Sequence, residues 1–372
     1  MSIEVTDEMY KRALVSRGDT DRIVKMIKKA ESGQDIKVVF FGGSITQGCN
    51  AALYEECYVQ RTYRYLKNKF NNITVNYVNA GVGATGSLIG VHRAGRMAIA
   101  ENPDLVFVDC AVNDEDDVPS KEGYESLIRN LLTCSSKPAV VEIFMTKLEG
   151  DNVQDQEIKI GKQYNVPMIS YRNAVYDEIQ KKKITWNDII TDEVHPNSDG
   201  HEIISVLLSR FIEDVYNNEY KNNKEIALRD NVDGKECVYS DRYKDATIIN
   251  YMSSDMINIK GFGRYEMGFQ AFQNGWSYDG KTDKATLSVE VNAKNICVLY
   301  KKLVSDKAGK FTVSVNGEEK AHLDTYFKDG WGDYSEAEIV VNGDVKKKYN
   351  IEINVDDDSV GKDIIILGLM IS

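Results

Sequence analysis

Between residues 20 and 222, short apolar runs alternate with longer stretches in which apolar positions recur every three or four residues. The runs at 36–41, 73–78, 105–110 and 139–144 are of strand length and rich in Val, Ile or Phe, with a shorter one at 167–170. None alternates cleanly with polar residues, as expected of strands buried on both faces. The stretches between them read as helices. Residues 20–31, TDRIVKMIKKAE, predict a helix capped by Thr20 or Asp21 and ended by Ser32-Gly33. Residues 55–70 set Tyr58, Thr62, Tyr65, Leu66 and Phe70 on one stripe, and an amphipathic helix over roughly 198–216 closes the series. Strand–helix alternation of this kind predicts an α/β unit of three layers, a parallel sheet with helices on both faces.

After about residue 222 the texture changes. Polar alternation takes over at 285–291 and 311–315, and long helical stripes disappear. Asn316-Gly317 lies between KFTVSV and EEKAHL, a strong two-residue hairpin signal, and Asn342-Gly343 offers a second turn after EIVV. The tail DIIILGLMIS reads as a central strand. Residues 225–372 therefore predict an antiparallel β-sandwich of the jelly-roll type, joined to residues 1–222 by the polar, Asn-rich linker NNEYKNNKE. A chain of 372 residues suits two such domains.

The formal net charge of −12 argues against nucleic acid and anionic membrane surfaces as partners. No run reaches the roughly 18 apolar residues of a membrane span. Six cysteines (Cys49, Cys57, Cys110, Cys134, Cys237, Cys297) are scattered without C-x-x-C spacing. Cys110 falls in an apolar run and reads as a buried thiol, and the N-terminus MSIEVTDEMYKR lacks the pattern of a secretory signal. The expectation is a reduced, cytoplasmic protein.

In an open α/β sheet, ligands bind beyond the carboxyl ends of the strands, so the loops after the apolar runs are where chemistry belongs. They read Gly42-Gly43-Ser44-Ile45-Thr46, then Asn79-Ala80-Gly81-Val82-Gly83-Ala84-Thr85-Gly86, then Ala111-Val112-Asn113-Asp114. Before the last helix stands Asp192-Glu193-Val194-His195-Pro196. All four loops are predicted on one rim. Acyl transfer needs a nucleophile, a base, a carboxylate to orient the base, and donors for the oxyanion. Ser44 at a Gly-rich strand exit can supply the first, His195 the second and Asp192, three residues earlier, the third. The N–H of Ser44, an N–H of the second loop and the amide of Asn113 can supply the donors.

These four blocks, in this order across residues 36–201, resemble the SGNH or GDSL-type hydrolases. The resemblance implies a flavodoxin-like sheet, Ser44 as nucleophile, Asn113 as oxyanion donor, and Asp192 with His195 completing the triad. Two positions depart from the pattern. The usual Asp before the serine is Gly43, a Gly-Gly-Ser-Ile-Thr variant found in carbohydrate esterase branches. The glycine that donates its N–H in the second block aligns with Ala84, whose backbone is then expected to avoid positive φ, with Gly83 as the reserve donor. The two-domain arrangement resembles carbohydrate esterase family 17, which implies acetylesterase action on acetylated mannan oligosaccharides, a family 35-like carbohydrate-binding module, and no cofactor. A lysophospholipase or thioesterase on the same scaffold, or a non-catalytic sugar-binding protein, are the alternatives.

Each motif also has a plainer reading. Ser44 could simply cap a helix. Gly81, Gly83 and Gly86 spell G-x-G-x-x-G, but no acidic partner stands at the distance a dinucleotide site needs. His92, Arg93 and Arg96 read as a solvated helix face, with Arg93 or Arg96 also weighed as a contact to sugar hydroxyls. Asp114 to Asp117 read as a solvated loop or a helix start, His201 as structural or surface, and His322 as having no carboxylate at matching spacing. No histidine pair has zinc spacing, so no metal is expected. Trp276 and Trp331 sit among Gly and Asp, which reads as loop, and both are candidate platforms for sugar rings. A homo-oligomer is left open.

Overall fold

The computed structural model describes residues 3–228 and 230–372. The chain divides into two compact units, Met1–Lys244 and Asp245–Ser372.

The first unit is built on a six-stranded sheet. Its strands are β1 (Leu14–Ser16), β2 (Ile36–Gly42), β3 (Val75–Gly81), β4 (Leu105–Asp109), β5 (Ala139–Phe144) and β6 (Met168–Ser170), in the order β1-β6-β5-β4-β2-β3. All neighbours are parallel except β1, which runs antiparallel to β6 at the edge. Every residue of β4 and β5 is buried, which explains why these runs carry no polar alternation. Because the chain leaves β2 for β3 on one side and later fills β4 on the other, the strand order reverses at β2. That reversal opens a crevice at the carboxyl edge. Gly42 pairs level with both Gly81 and Asp109, so the first three loops depart from one rim.

The helices follow from local signals. Asp21–Glu31, Tyr58–Lys69 and Ser198–Val215 lie close to the stripes read from sequence. Asp117 belongs to the acidic run and N-caps Val118–Thr133 by accepting from the Ser120 N–H, with Pro119 in the first turn. Strand β3 begins and ends later than the run at 73–78, so Asn79, Ala80 and Gly81 finish the strand rather than open the loop.

The boundary at 222–225 lies earlier than the observed one. Residues beyond it are tied to the first unit by buried polar anchors. The fully buried Glu125 carboxylate accepts from the backbone N–H groups of Val238, Tyr239 and Ser240, and from the Tyr164 hydroxyl. The Asn231 amide donates to the Tyr164 carbonyl. The polar, Asn-rich segment 217–225, read as a linker, is tied to the same unit as well, through Glu219 to Arg17 and Lys224 to Asp21.

The second unit is an antiparallel sandwich of nine paired strands with its own core. Asn316 and Gly317 both take positive φ and turn Lys310–Val315 into Glu318–Asp324, as the dipeptide predicts. Asn342-Gly343 does not turn the chain. It lies inside the 22-residue strand Tyr334–Val355, where the pairing with Thr286–Lys302 slips between Asn342 and Lys347. Neither residue takes positive φ, and the extra residues form a bulge instead of a hairpin. The tail strand Ile365–Ile371 is central, with Thr286–Lys302 on one side and Gly275–Tyr278 on the other.

Candidate active site

Ser44 is the first residue of the short helix Ser44–Gln47, directly after β2. At that position its N–H has no carbonyl within the helix to bond. The turn into the helix is possible because the neighbouring glycines admit other groups. A Cβ on Gly43 would lie 2.1 Å from Asn113 Oδ1, and one on Gly81 would lie 2.2 Å from the Gln47 N.

His195 Nε2 lies 2.8 Å from Ser44 Oγ, and His195 Nδ1 lies 2.8 Å from Asp192 Oδ2. A carboxylate only accepts, so the proton sits on Nδ1 and Nε2 is free to accept from the serine hydroxyl. The Asp-x-x-His segment makes this contact locally. Asp192 Oδ1 accepts from the backbone N–H of both Val194 and His195 at 2.7 Å, folding the loop back so that Oδ2 faces the ring. Partial burial alone would raise the Asp192 carboxyl. The bonds from the His195 ring, the two N–H groups and the nearby imidazole outweigh it and hold the carboxyl below its ordinary value. The Asn50 amide also donates to Asp192 Oδ2, at 2.7 Å, a contact the sequence reading missed.

Of the four groups weighed as oxyanion donors, the three besides the Ser44 N–H differ in state. Among the described residues neither Asn113 Nδ2 nor the Ala84 N–H has a hydrogen-bond partner, whereas the Gly83 N–H donates to Gln47 Oε1 at 3.0 Å. Gly83 is therefore engaged and is a poor reserve donor. Ala84 has φ of 56°, contrary to the expectation that an alanine would keep out of the left-handed region. The loop holds it there by its flanking bonds, Gly83 N–H to Gln47 and Thr85 Oγ1 to the Val82 carbonyl. Such a conformation costs about 1–2 kcal/mol in a non-glycine residue.

Asp114 accepts from the Ser87 N–H at 2.5 Å, which seats the N-terminus of the helix Ser87–Met97. Burial pushes its carboxyl up to about 7 despite the Ser87 bonds. Asp109, level with Gly42 at the end of β4, is likewise buried and pushed up to about 7, although Thr46 Oγ1 donates to it.

Arg93 is not a sugar contact. It is 2% exposed, and its guanidinium donates to the Ala80 and Gly42 carbonyls at 2.7 and 2.8 Å while lying over the Phe41 ring. It ties the ends of β2 and β3 beneath the loops. His92 is buried beside it, so of the three residues read as a solvated face only Arg96 is exposed. Arg93→Met should therefore cost about 2–4 kcal/mol, by leaving buried carbonyls without their donor. Arg93→Lys should recover little, because one ammonium cannot bridge both sites in the geometry of the fork. Urea denaturation of the three proteins checks this, with KM for substrate unmoved in whatever remains folded.

In the second unit, Trp276 is fully buried on the strand Gly275–Tyr278, paired with Ile366 and Arg264. It is core, not platform. Trp331 is 71% exposed and packs against Phe327 and Tyr334. His322 does have a carboxylate partner, Asp356, brought to it by the fold from 34 residues away. The buried ring of His201 bonds the Cys49 carbonyl. Among the described residues no group of three or more His, Cys, Asp or Glu stands where it could hold a metal ion, and no helix is long and apolar enough to cross a membrane.

Residues 40–203 match the GDSL-like lipase/acylhydrolase family, so the first unit carries a domain of that kind. No curated protein matches the chain. Among solved structures it is similar to a two-domain esterase active on acetylated mannans, crystallised with mannopentaose. That match has 26% identity, 97% coverage of both chains and a TM-score of 0.87. The same description without the oligosaccharide matches at 26% identity, again over 97% of each chain, with a TM-score of 0.85. The likeness spans both units, the sandwich included.

Proposed function

We propose that this GDSL-type hydrolase removes acetyl groups from sugar hydroxyls of acetylated manno-oligosaccharides, using Ser44, His195 and Asp192. The observation that carries the reading is the continuous relay of 2.8 Å contacts from Ser44 Oγ through the His195 ring to Asp192. The choice of sugar is supported by the likeness, over 97% of both chains, to an esterase active on acetylated mannans.

Ser44 Oγ attacks the acetyl carbonyl carbon as its proton passes to His195 Nε2, and Asp192 compensates the imidazolium through Nδ1. The carbonyl oxygen becomes an oxyanion, met by the Ser44 and Ala84 N–H groups and by Asn113 Nδ2. Collapse expels the sugar alkoxide, which takes the proton from Nε2. A water molecule, deprotonated by the same nitrogen, then attacks the acetyl-serine carbonyl, the Oγ–C bond breaks to release acetate, and the proton on Nε2 returns to Ser44 Oγ. Every step uses groups of the chain and water, so no cofactor is invoked.

Trp331 is the sugar platform we assign to the second unit, because an exposed indole backed by two aromatic rings offers a flat apolar face at little ordering cost. On that reading the sandwich is a carbohydrate-binding module. A cytoplasmic location fits six cysteines none of which is bridged.

The test is acetate release from acetylated mannan, xylan and chitin oligosaccharides followed by mass spectrometry, alongside a p-nitrophenyl ester series. Preference for mannan substrates and for the acetyl ester is expected. Faster turnover of long acyl chains would instead place the protein with the lysophospholipases, and tight sugar binding without acetate release would make it a lectin.

A further inference from the structure

We infer that Asn50 is a positioning residue for this reaction, holding the Asp192 carboxylate in register with the His195 ring. The inference rests on the Ser44–His195–Asp192 reading above. Asp192 has two oxygens and they are shared unequally. Oδ1 is taken by the backbone N–H groups of Val194 and His195, while Oδ2 must serve the ring. Asn50 Nδ2 donates to that same Oδ2 at 2.7 Å and to Thr191 Oγ1 at 2.6 Å. The Asp192 side chain is 47% exposed. Without the amide, water would share Oδ2, and the carboxylate plane would be held only by the two N–H bonds to Oδ1 and by the ring itself.

The segment that carries Asn50 is itself held. The Cys49 carbonyl accepts from His201 Nε2 at 3.1 Å, and His201 Nδ1 accepts from the Tyr58 N–H at 3.3 Å. One ring therefore bridges two backbone groups, in its neutral form with the proton on Nε2. Beyond Asn50, the Ala52 N–H donates to Ser198 Oγ at 3.0 Å. Asn50 has φ of 65°, a conformation asparagine tolerates better than other residues with a side chain. The backbone is thus bent, and pinned on both sides, in a way that delivers a short amide to the carboxylate.

A donor on Oδ2 has two consequences. It keeps the carboxylate oriented, and it withdraws charge that would otherwise stabilise the imidazolium. The ionisable groups facing the pair from neighbouring elements are Cys49 and His201. Burial and the Asp192 charge raise the Cys49 thiol, and burial pushes His201 down to about 4. Both are neutral near pH 7, and the buried Asp109 and Asp114 carboxyls, pushed up to about 7, are common to parent and variant, so it is the difference between the acid limbs of kcat/KM in the two proteins that reports on Asn50.

Asn50→Gly is the informative variant, because glycine accepts φ of 65° without strain and the change removes the amide alone. The expected result with acetylated manno-oligosaccharide or p-nitrophenyl acetate is a loss of about ten- to a hundred-fold in kcat. KM and the melting temperature should stay near the parent, and the acid limb should move to higher pH. Asn50→Asp, which sets a second carboxylate against Asp192, should lose more and move the limb further. Parental kcat and an unmoved limb in Asn50→Gly would overturn the inference. So would a loss seen only as raised KM or lowered stability with the limb in place. Ser44→Ala separates the two ideas: if that variant stays active the triad reading fails, whereas if it is dead and Asn50→Gly is parental only the role of Asn50 fails.

Discussion

Ser44→Ala is expected to lower kcat for acetate release by about five to six orders of magnitude, with the fold and melting temperature unchanged. The size follows from what the hydroxyl does. On the proposed mechanism Ser44 Oγ forms the covalent bond, with His195 Nε2 at 2.8 Å to take its proton. Without it, acetyl transfer must occur directly to water, with only the oxyanion donors and substrate binding left to help. The side chain contributes little to packing, since its one described hydrogen bond is to that imidazole. His195→Ala should cost a similar factor, and the double variant barely more, because the two groups act as one unit. Acetate release and thermal melting, measured on the three variants, separate this outcome from a folding defect. A Ser44→Ala protein with more than about a hundredth of parental kcat would remove the nucleophile from this account.

How much of this was legible in the sequence depended on the range of the interactions. The sheet was readable because burial on both faces leaves its mark inside each run of β2, β4 and β5. The rim was readable because loops after parallel strands share an edge by topology. The pairing of Asp192 with His195 lies within four consecutive residues and is governed by the turn itself. What stayed hidden was decided at a distance. Arg93 reads as a solvated charge in its own helix, and only the carbonyls of Gly42 and Ala80 make it an interior tie. Trp276 lies among residues that read as loop. Yet Gly275 is there because the Ile366 carbonyl passes 2.3 Å from where its Cβ would be, which is a sign of close strand packing. Asn50 carried no motif or periodicity, and its partner Asp192 is 142 residues away.

Gly43→Ala should reduce kcat by about two to three orders of magnitude while leaving stability within about 1 kcal/mol of the parent. The position has φ of −90°, outside the left-handed region that favours glycine. What alanine meets there is Asn113. The added Cβ would lie 2.1 Å from Oδ1 and 3.1 Å from Cγ, well inside contact distance, so the Asn113 side chain must move aside. A side-chain tip can do so cheaply, which spares the fold. Its Nδ2, however, is the donor we assign to the oxyanion, and a shift of about 1 Å is enough to spoil such a bond in the transition state. The loss should fall on kcat rather than KM, and Asn113→Ala should reproduce it. Because both substitutions remove the same contact, Gly43→Ala combined with Asn113→Ala should be little worse than either alone. Gly43→Asp, which restores the residue that usually precedes the serine in GDSL-type hydrolases, should be worse still, since it adds a negative charge beside a developing one. The glycine is thus the counterpart of the asparagine: in this chain Asn113, the oxyanion donor we propose, occupies the space that a side chain before Ser44 would need. Parental kcat in Gly43→Ala, with Asn113→Ala impaired, would mean that the amide finds its place despite the added methyl, and the steric argument would fall.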